Sequence, residues 1–388
     1  MSRLLFLLLI YLSPFGVLGG DSTEVWLMAS DQKQQIRQAI EQYEVINSST
    51  WHSLPTKLLL RPGDSSEHVP YLRANLLLTA DLLQADAPVD SLRYTRALAA
   101  AVVRFQTRHA LKADSIVGPR TVAALNVSPA QRIRQLQNSL DRWEAFSSGI
   151  SQPYIVINIP DYSLRLIDYN MVLLQMRIIV GKPNLPTLVN QTELHTIVFN
   201  PSWYIPHSIA SKEILPIIKR NPAYLESRDM ELFRPSALGG WHKINPWKID
   251  WSEVNASNFD FRIVQVTGEH NELGYMKFLF NTRVSQYLHD TKDRHLFSLD
   301  RRAFSHGCIR LQNPEDLALY LLRERTGLSD HRIERILESD KPEYYIRLKE
   351  PIPLLIVYMT AWVDDDLGVQ FREDIYGKDK LENVSLGR

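Results

Sequence analysis

Cysteine is almost absent: Cys308 stands alone in 388 residues. A single thiol forms no internal disulfide, and it excludes every zinc site built on two or more thiolates. An excess of one charge is missing too. Lys+Arg and Asp+Glu are both 44, so the formal net charge is zero. That balance argues against nucleic-acid binding, which runs on phosphate neutralisation. Past the N-terminus no apolar run approaches the ~20 residues needed to cross a bilayer. Hydrophobic residues at 45% and charged residues at 23% exclude a largely disordered chain, a polytopic membrane protein and a collagen-like fibre. The length suggests two or three domains of ~150 residues each.

Residues 1–20 read as an export signal. Arg3 is the positive end, Leu4 to Leu12 the apolar run, and Val17 and Gly19 are small enough for cleavage after Gly19. The alternatives are an uncleaved anchor or a buried helix. No cysteine lies near the cleavage region, so no lipid anchor is expected there. The expected place is outside the cytoplasm, with no stable membrane insertion after cleavage.

The region to about residue 150 has helical periodicity. Val69, Leu72, Leu76 and Leu83 share one face, as do Leu98, Val102, Phe105 and His109, and Ile133, Leu136, Leu140 and Trp143. The face ending in Trp143 is expected to be core. From Pro153 onward the pattern changes to strands, at Tyr154–Ile159, Ser163–Ile167, Met171–Val180, Thr196–Phe199, Phe261–Val266 and Met276–Phe280, then Tyr344–Leu348, Leu354–Tyr358 and Val369–Phe371. The first three suggest a meander. Between them, about 205–258, lies a Pro-, Trp- and Asn-rich insertion without clear strands, with a possible helix over Ile209–Arg220 that Pro216 interrupts. It reads equally as a lid or as an excursion with its own small Trp core.

Chemistry concentrates in two segments, Tyr287-Leu288-His289-Asp290-Thr291 and Ser305-His306-Gly307-Cys308-Ile309-Arg310. A thiol attacks as thiolate, and an imidazole can take its proton. His306 is two residues from Cys308; His289 comes from a separate segment and can face the thiol across strands. Gly307 permits a sharp turn that aims nearby amides at a developing oxyanion. Arg310 offers a fork for a carboxylate. A buried structural cysteine is the plain alternative. A metal site on His289, His295, His306 and Cys308 is the chemical one, and it lacks helical or H-E-x-x-H spacing.

The Ser-His-Gly-Cys-Ile-Arg run, with the histidine of Tyr-Leu-His-Asp-Thr 19 residues before the cysteine, resembles the signature of L,D-transpeptidases with a YkuD domain. Gly274-Tyr275-Met276-Lys277-Phe278, Val198 to Pro206, Ile249-Asp250-Trp251 and Tyr358 to Trp362 are similar to blocks of the large periplasmic murein enzymes. Leu60 to Asp64, Val103 to Gln106 and Val117-Gly118-Pro119 resemble a peptidoglycan-binding module, although Asp114-Ser115 replaces its usual Asp-Gly turn. Thr187-Leu188 and Gln286 depart from the catalytic pattern.

The resemblance implies an α+β chain, a small helical binding domain before a mainly β YkuD-like domain with an inserted cap. Its expected divisions are signal 1–20, N-terminal helical segment 21–54, peptidoglycan-binding domain 55–128, linker helix 129–150, catalytic domain 151–375 with a cap at about 205–258, and tail 376–388. It implies Cys308 as nucleophile, His289 as base and His306 as an orienting residue. Gly307 and Cys308 amides would form an oxyanion hole, and Ser305, Arg310, Tyr287, Trp203 and Tyr204 would line the substrate. It implies periplasmic action on tetrapeptide stems of peptidoglycan, with D-alanine released and 3-3 crosslinks formed. No metal or cofactor is called for, and carbapenem-type inhibitors fit the same thiol. Hydrolysis, attachment of a protein to peptidoglycan, and noncatalytic peptidoglycan binding are the rival readings.

Overall fold

The computed structural model describes residues 29–83, 92–146, 150–364 and 368–380; the expected signal lies outside them. Among the described residues five helices come first: α1 (Ala29–Asn47), α2 (Val69–Leu78), α3 (Arg96–Arg108), α4 (Pro119–Leu125) and α5 (Pro129–Ala145). Their starts follow local chemistry. Thr95 accepts the Leu98 N–H, and Ser128 forms a capping box with Gln131 ahead of Pro129. Helix α2 ends earlier than its apolar spacing suggests. Ala80 takes φ +58°, and the Leu82 N–H donates to Leu76 O at 2.9 Å. That closure buries Leu82 and leaves Leu83 59% exposed, so Leu83 is not part of the expected face.

Helices α2 to α4 enclose a core of Leu60, Leu72, Leu98, Phe105, Val117 and Leu125, with Leu60 bridged to Val117. At the departed turn Ser115 holds φ +61°, where a glycine would be unstrained. Gln106 secures it, accepting the Ser115 N–H at 3.0 Å and donating to Asp114 and to Ile116 O.

Fifteen strands follow: β1 (Tyr154–Asn158), β2 (Ser163–Asp168), β3 (Met171–Gly181), β4 (Asn190–Phe199), β5 (Trp203–Tyr204), β6 (Met230–Pro235), β7 (Trp241–Ile244), β8 (Arg262–Gln265), β9 (Met276–Phe280), β10 (Leu288–His289), β11 (Ala303–Ser305), β12 (Ile309–Leu311), β13 (Tyr344–Val357), β14 (Ala361–Asp364) and β15 (Gly368–Phe371). The meander β1–β2–β3 is antiparallel throughout. The main sheet runs β11-β3-β12-β10-β9-β4-β13-β1-β2, and β2 also pairs with β3, so it closes on itself. Its apolar residues, with helices Pro314–Arg325 and Asp330–Leu337, form the largest core. The two expected tail strands are one, β13, whose register shifts between Arg347 and Ile352.

A second core lies on the other face. Val156, Leu355 and Val357 meet Ile36 and Tyr43 of α1, Leu136, Leu140 and Trp143 of α5, and Trp362 and Phe371 of the β14–β15 hairpin. Trp143 is core, as its face suggests. Gln32 of α1 exchanges two hydrogen bonds with the backbone of Val363, 331 positions away.

The insertion does contain strands, which corrects the expectation. β5-β8-β6-β7 form a separate four-stranded sheet. Helical turns His207–Ile209 and Leu215–Ile218 flank a π-helical stretch, Ala210–Ile214. Pro216 has no N–H to give to the preceding turn, and the widened π stretch lies just before it. Ile214, Leu225, Leu232, Trp251, Phe259 and Phe261 make a core of its own, so the segment is an independent small layer. No helix among the described residues is long and apolar enough to cross a membrane.

Candidate active site

Strand alternation builds the site. β10 and β12 pair in parallel, Leu288 opposite Ile309 and His289 opposite Arg310. Leu288, Ile309 and Leu311 are fully buried in the main core. The alternate residues, Tyr287, His289, Cys308 and Arg310, therefore share the opposite face. The Ile309 N–H donates to Tyr287 O at 3.1 Å, which continues the ladder to the cysteine. On the other side β9 places Lys277 opposite His289. His289 thus lies between two cations on neighbouring strands.

His289 is 4% exposed, and its Nδ1 is 2.5 Å from Asp290 O. A carbonyl only accepts, so Nδ1 carries the proton and the neutral ring keeps a bare Nε2. Burial, then Arg310 and Lys277, push its pKa down to about 3, against the Asp290 hydrogen bond. The Asp290 carboxylate is turned away from the ring. It accepts the Tyr275 and Thr291 N–H groups at 2.9 and 2.6 Å and pairs with Arg294 at 2.6 Å. Gly274, at φ +60°, passes so close that a Cβ would sit 2.2 Å from Asp290 Oδ2.

Cys308 is half-buried, and its Sγ lies 3.8 Å from Ser285 O. Burial pushes the thiol above its ordinary pKa; hydrogen bonds from the Tyr287 amide and hydroxyl, and the charges of Lys277 and Arg310, pull the other way. The Tyr287 hydroxyl is shared between Cys308 and Trp203, and its pKa is raised by burial first. The Lys277 ammonium sits 3.8 Å from the Tyr287 ring centroid.

The motif turn is held from within. Ser305 Oγ donates to Cys308 O at 2.5 Å and accepts the Gly307 N–H at 3.1 Å. Gly307 has φ +112°, a conformation that favours glycine. Its amide, expected as an oxyanion donor, is therefore engaged by Ser305, and its contribution here is the turn. Thr187 Oγ1 accepts the Gly181 N–H and donates to Gly307 O, both at 2.9 Å. His306 Nε2 is 2.7 Å from Glu213 Oε1 and 3.5 Å from Lys182 Nζ. It ties the turn to the π-helical stretch of the insertion. Arg310 pairs with Asp293 at 3.2 Å, while its buried Nε has no partner.

The remaining expected residues divide. Trp203 reaches the Tyr287 hydroxyl. Tyr204, next along β5, hydrogen-bonds Glu343 instead. His295 is exposed on the turn Arg294–Ser298, and no cluster of three or more metal-ligating side chains occurs among the described residues. Sequence reasoning missed Lys277, Thr187 and Glu213 as parts of the site. Only Lys277 left a signal: Met276, Phe278 and Phe280 alternate with it, which puts its ammonium on the face away from the core.

Residues 152–327 match the family "L,D-transpeptidase catalytic domain" (YkuD), and residues 75–125 match "Putative peptidoglycan binding domain". A Haemophilus influenzae protein described as "Putative L,D-transpeptidase" is 31% identical over 256 residues, covering 66% of this chain and 48% of that protein. The chain thus spans about half the length of that curated relative. Among solved structures, an L,D-transpeptidase from Mycobacterium smegmatis has 13% identity and a TM-score of 0.25, covering 52% of this chain and 57% of that one. One from Stackebrandtia nassauensis has 12% identity and a TM-score of 0.26, covering 79% and 97%. Residues 152–327 thus carry the match to the L,D-transpeptidase catalytic domain of the YkuD family, and the match to a peptidoglycan-binding domain lies N-terminal to it.

Proposed function

We infer that the chain is a cysteine acyl-transferase acting on peptidoglycan tetrapeptide stems. The observation that carries this reading is the register of β10 against β12, which sets an imidazole with a bare Nε2 and the chain's one thiol on the same face. In the resting site the raised thiol and the lowered imidazole are both neutral. Proton transfer to His289 therefore accompanies attack and does not precede it.

The Cys308 sulfur bonds to the carbonyl carbon of the third stem residue, a diamino acid, and His289 takes the thiol proton. The C–N bond to D-alanine breaks, and the amine leaves with that proton, giving a thioester. A side-chain amine of a second stem then attacks the thioester and gives a proton to His289. Sulfur leaves, regains the proton, and a 3-3 crosslink remains. Tyr287 stabilises the sulfur as negative charge develops, while Ser305 and Gly307 hold the nucleophile's loop. The insertion lies over the turn through Glu213 and His306 and limits water, so that amine attack outruns hydrolysis. No residue role calls for a metal or cofactor. An export signal, as residues 1–20 read, would put the reaction in the periplasm, and carbapenem-type inhibitors would acylate the same sulfur.

Intact mass after incubation with a tetrapeptide stem, and separately with a carbapenem, tests the reading. An acyl adduct on the unaltered protein and none on Cys308→Ala is expected. A folded, unmodified protein in both incubations would overturn it. Product analysis with an acceptor stem present separates crosslinking from hydrolysis.

A further inference from the structure

A cavity of about 1030 Å3 lies where the peptidoglycan-binding domain, helix α5 and the closed sheet meet. That is the upper end of the ~300–1,000 Å3 usual for ligand pockets, which favour such domain seams. It is separate from the thiol site. None of Tyr287, His289, Ser305, Gly307, Cys308 or Arg310 lines it. Gln312, which does, lies about 13 Å along the β12 direction from Cys308, at ~3.3 Å per residue.

Its lining holds seven arginines against four carboxylates, and four glutamines. Several arginines are paired: Arg165 and Arg372 with Asp161, Arg120 with Asp300, and Arg301 with Glu373. Three have no carboxylate in ion-pair contact among the described residues. Arg302 is held at each of its three nitrogens by the carbonyls of Ile178, Leu299 and Tyr162. Arg132 and Arg177 are not. Arg132 is 7% exposed, donates to Gln135 Oε1 and Ala124 O, and stacks over Phe371 at 4.5 Å. Burial, helped by Arg108, draws its pKa down to about 10, so its charge is held at a cost. Arg177 comes from the opposite wall, and its guanidinium makes one hydrogen bond, to Phe297 O. Buried charge is normally retained with a partner. Arg132, from helix α5, is such a charge without a carboxylate partner among the described residues, and the exposed Arg177, from β3, lines the same roomy, polar space.

We propose that this cavity is a second ligand site, which takes the carboxylate-bearing peptide of a peptidoglycan fragment between Arg132 and Arg177. Planar guanidinium forks match carboxylates in bidentate geometry. The amide groups of Gln175 and Gln312 suit peptide or N-acetyl groups, and Phe371 and Met176 offer apolar contact. Both domains contribute walls, so occupancy would fix the binding domain against the catalytic one and anchor the enzyme on a strand it is not cutting. The identity of the ligand rests on the peptidoglycan reading above; the charge argument does not.

The test uses Cys308→Ala protein and titration calorimetry with a disaccharide-tetrapeptide, and with the same compound carrying amidated carboxylates. Two binding events are expected with the acid form. One of them weakens at least tenfold with Arg132→Gln, with Arg177→Glu, and with the amidated ligand. Equal binding by variants that melt like the parent overturns the proposal, as does inorganic phosphate displacing the ligand from that event at lower concentration. Arg177 is exposed, so Arg177→Glu decides alone if Arg132→Gln does not fold. Acylation of Cys308 is read separately by mass. Acylation without the second event sinks only the cavity proposal; the second event without acylation sinks only the enzymatic one.

Discussion

A thiol flanked by two cations and a phenol would ordinarily be a resting thiolate, yet burial at Cys308 outweighs them. The alkylation rate should therefore climb nearly tenfold per pH unit from pH 6.5 to 9. A plateau below pH 7, the mark of a preformed thiolate–imidazolium pair, would contradict this. Tyr287→Phe removes a hydroxyl donor to the sulfur. A hydrogen bond to a charged group is worth about 1.5 kcal/mol or more, so thiolate reactivity at pH 8 should fall roughly tenfold, as iodoacetamide kinetics would report. Thr187 acts at one remove. Thr187→Val keeps its shape but strands the buried Gly181 N–H and the half-buried Gly307 carbonyl. We expect about 1–3 kcal/mol of lost stability and a drop in acylation rate, measured by urea melts and single-turnover mass. Cys308, His289 and Gly307 were legible as candidates because they fall in two short motifs. Glu213 was not, since 93 residues separate it from His306 and only the folded insertion brings them together.

Elements were legible where periodicity was clean and hidden where polar residues interrupt it. β13 reads as two strands because Lys349, Glu350 and Pro351 sit at its register shift. The insertion reads as coil because its strands are short and its helix changes pitch ahead of Pro216. At the Ser115 turn the chain adopts the left-handed backbone that its sequence disfavours. Relief of ~1–2 kcal/mol of strain, less the entropy that glycine adds to the unfolded chain, makes Ser115→Gly stabilising by about 0.5 kcal/mol. A thermal melt showing no gain would mean Gln106 already offsets the strain. In the insertion, Glu213→Gln weakens the tie to His306. Amide exchange across Ala210–Ile214 should quicken, and the thioester should partition more toward hydrolysis. Unchanged exchange and partitioning would show that the Glu213–His306 contact does not hold the layer down.

Across the molecule, two buried imidazoles set the acid limit. Burial holds His109 and His289 neutral, well below the usual histidine range. The unfolded chain takes up both protons near pH 6.5. Stability is thus complete above that pH and declines as pH falls, by up to about 1.4 kcal/mol per unit for each histidine. Asp161, held low despite its burial by Arg372 and Arg165, adds its own loss only below about pH 4. Asp290, Glu315 and Asp316, raised by burial, act in the opposite sense in the carboxylate range. Melts from pH 7 to 5 should show the decline, and His109→Phe, which keeps the ring stack on Phe105, should roughly halve it. An equal slope in that variant would remove His109 from the account.

The pairing of Gln32 with Val363 has a consequence in time. A ribosome delivers this chain N-terminus first, and helix α1 arrives hundreds of residues before the strand that fastens it. Its apolar stripe, Ile36, Ala39 and Tyr43, must wait uncovered until α5 and then the β14–β15 hairpin emerge. A late segment is the clasp that shuts an early one, so a chain cut short before Ala361 would leave α1 loose and vulnerable to proteases. The fold thereby carries a check that synthesis has passed the hairpin.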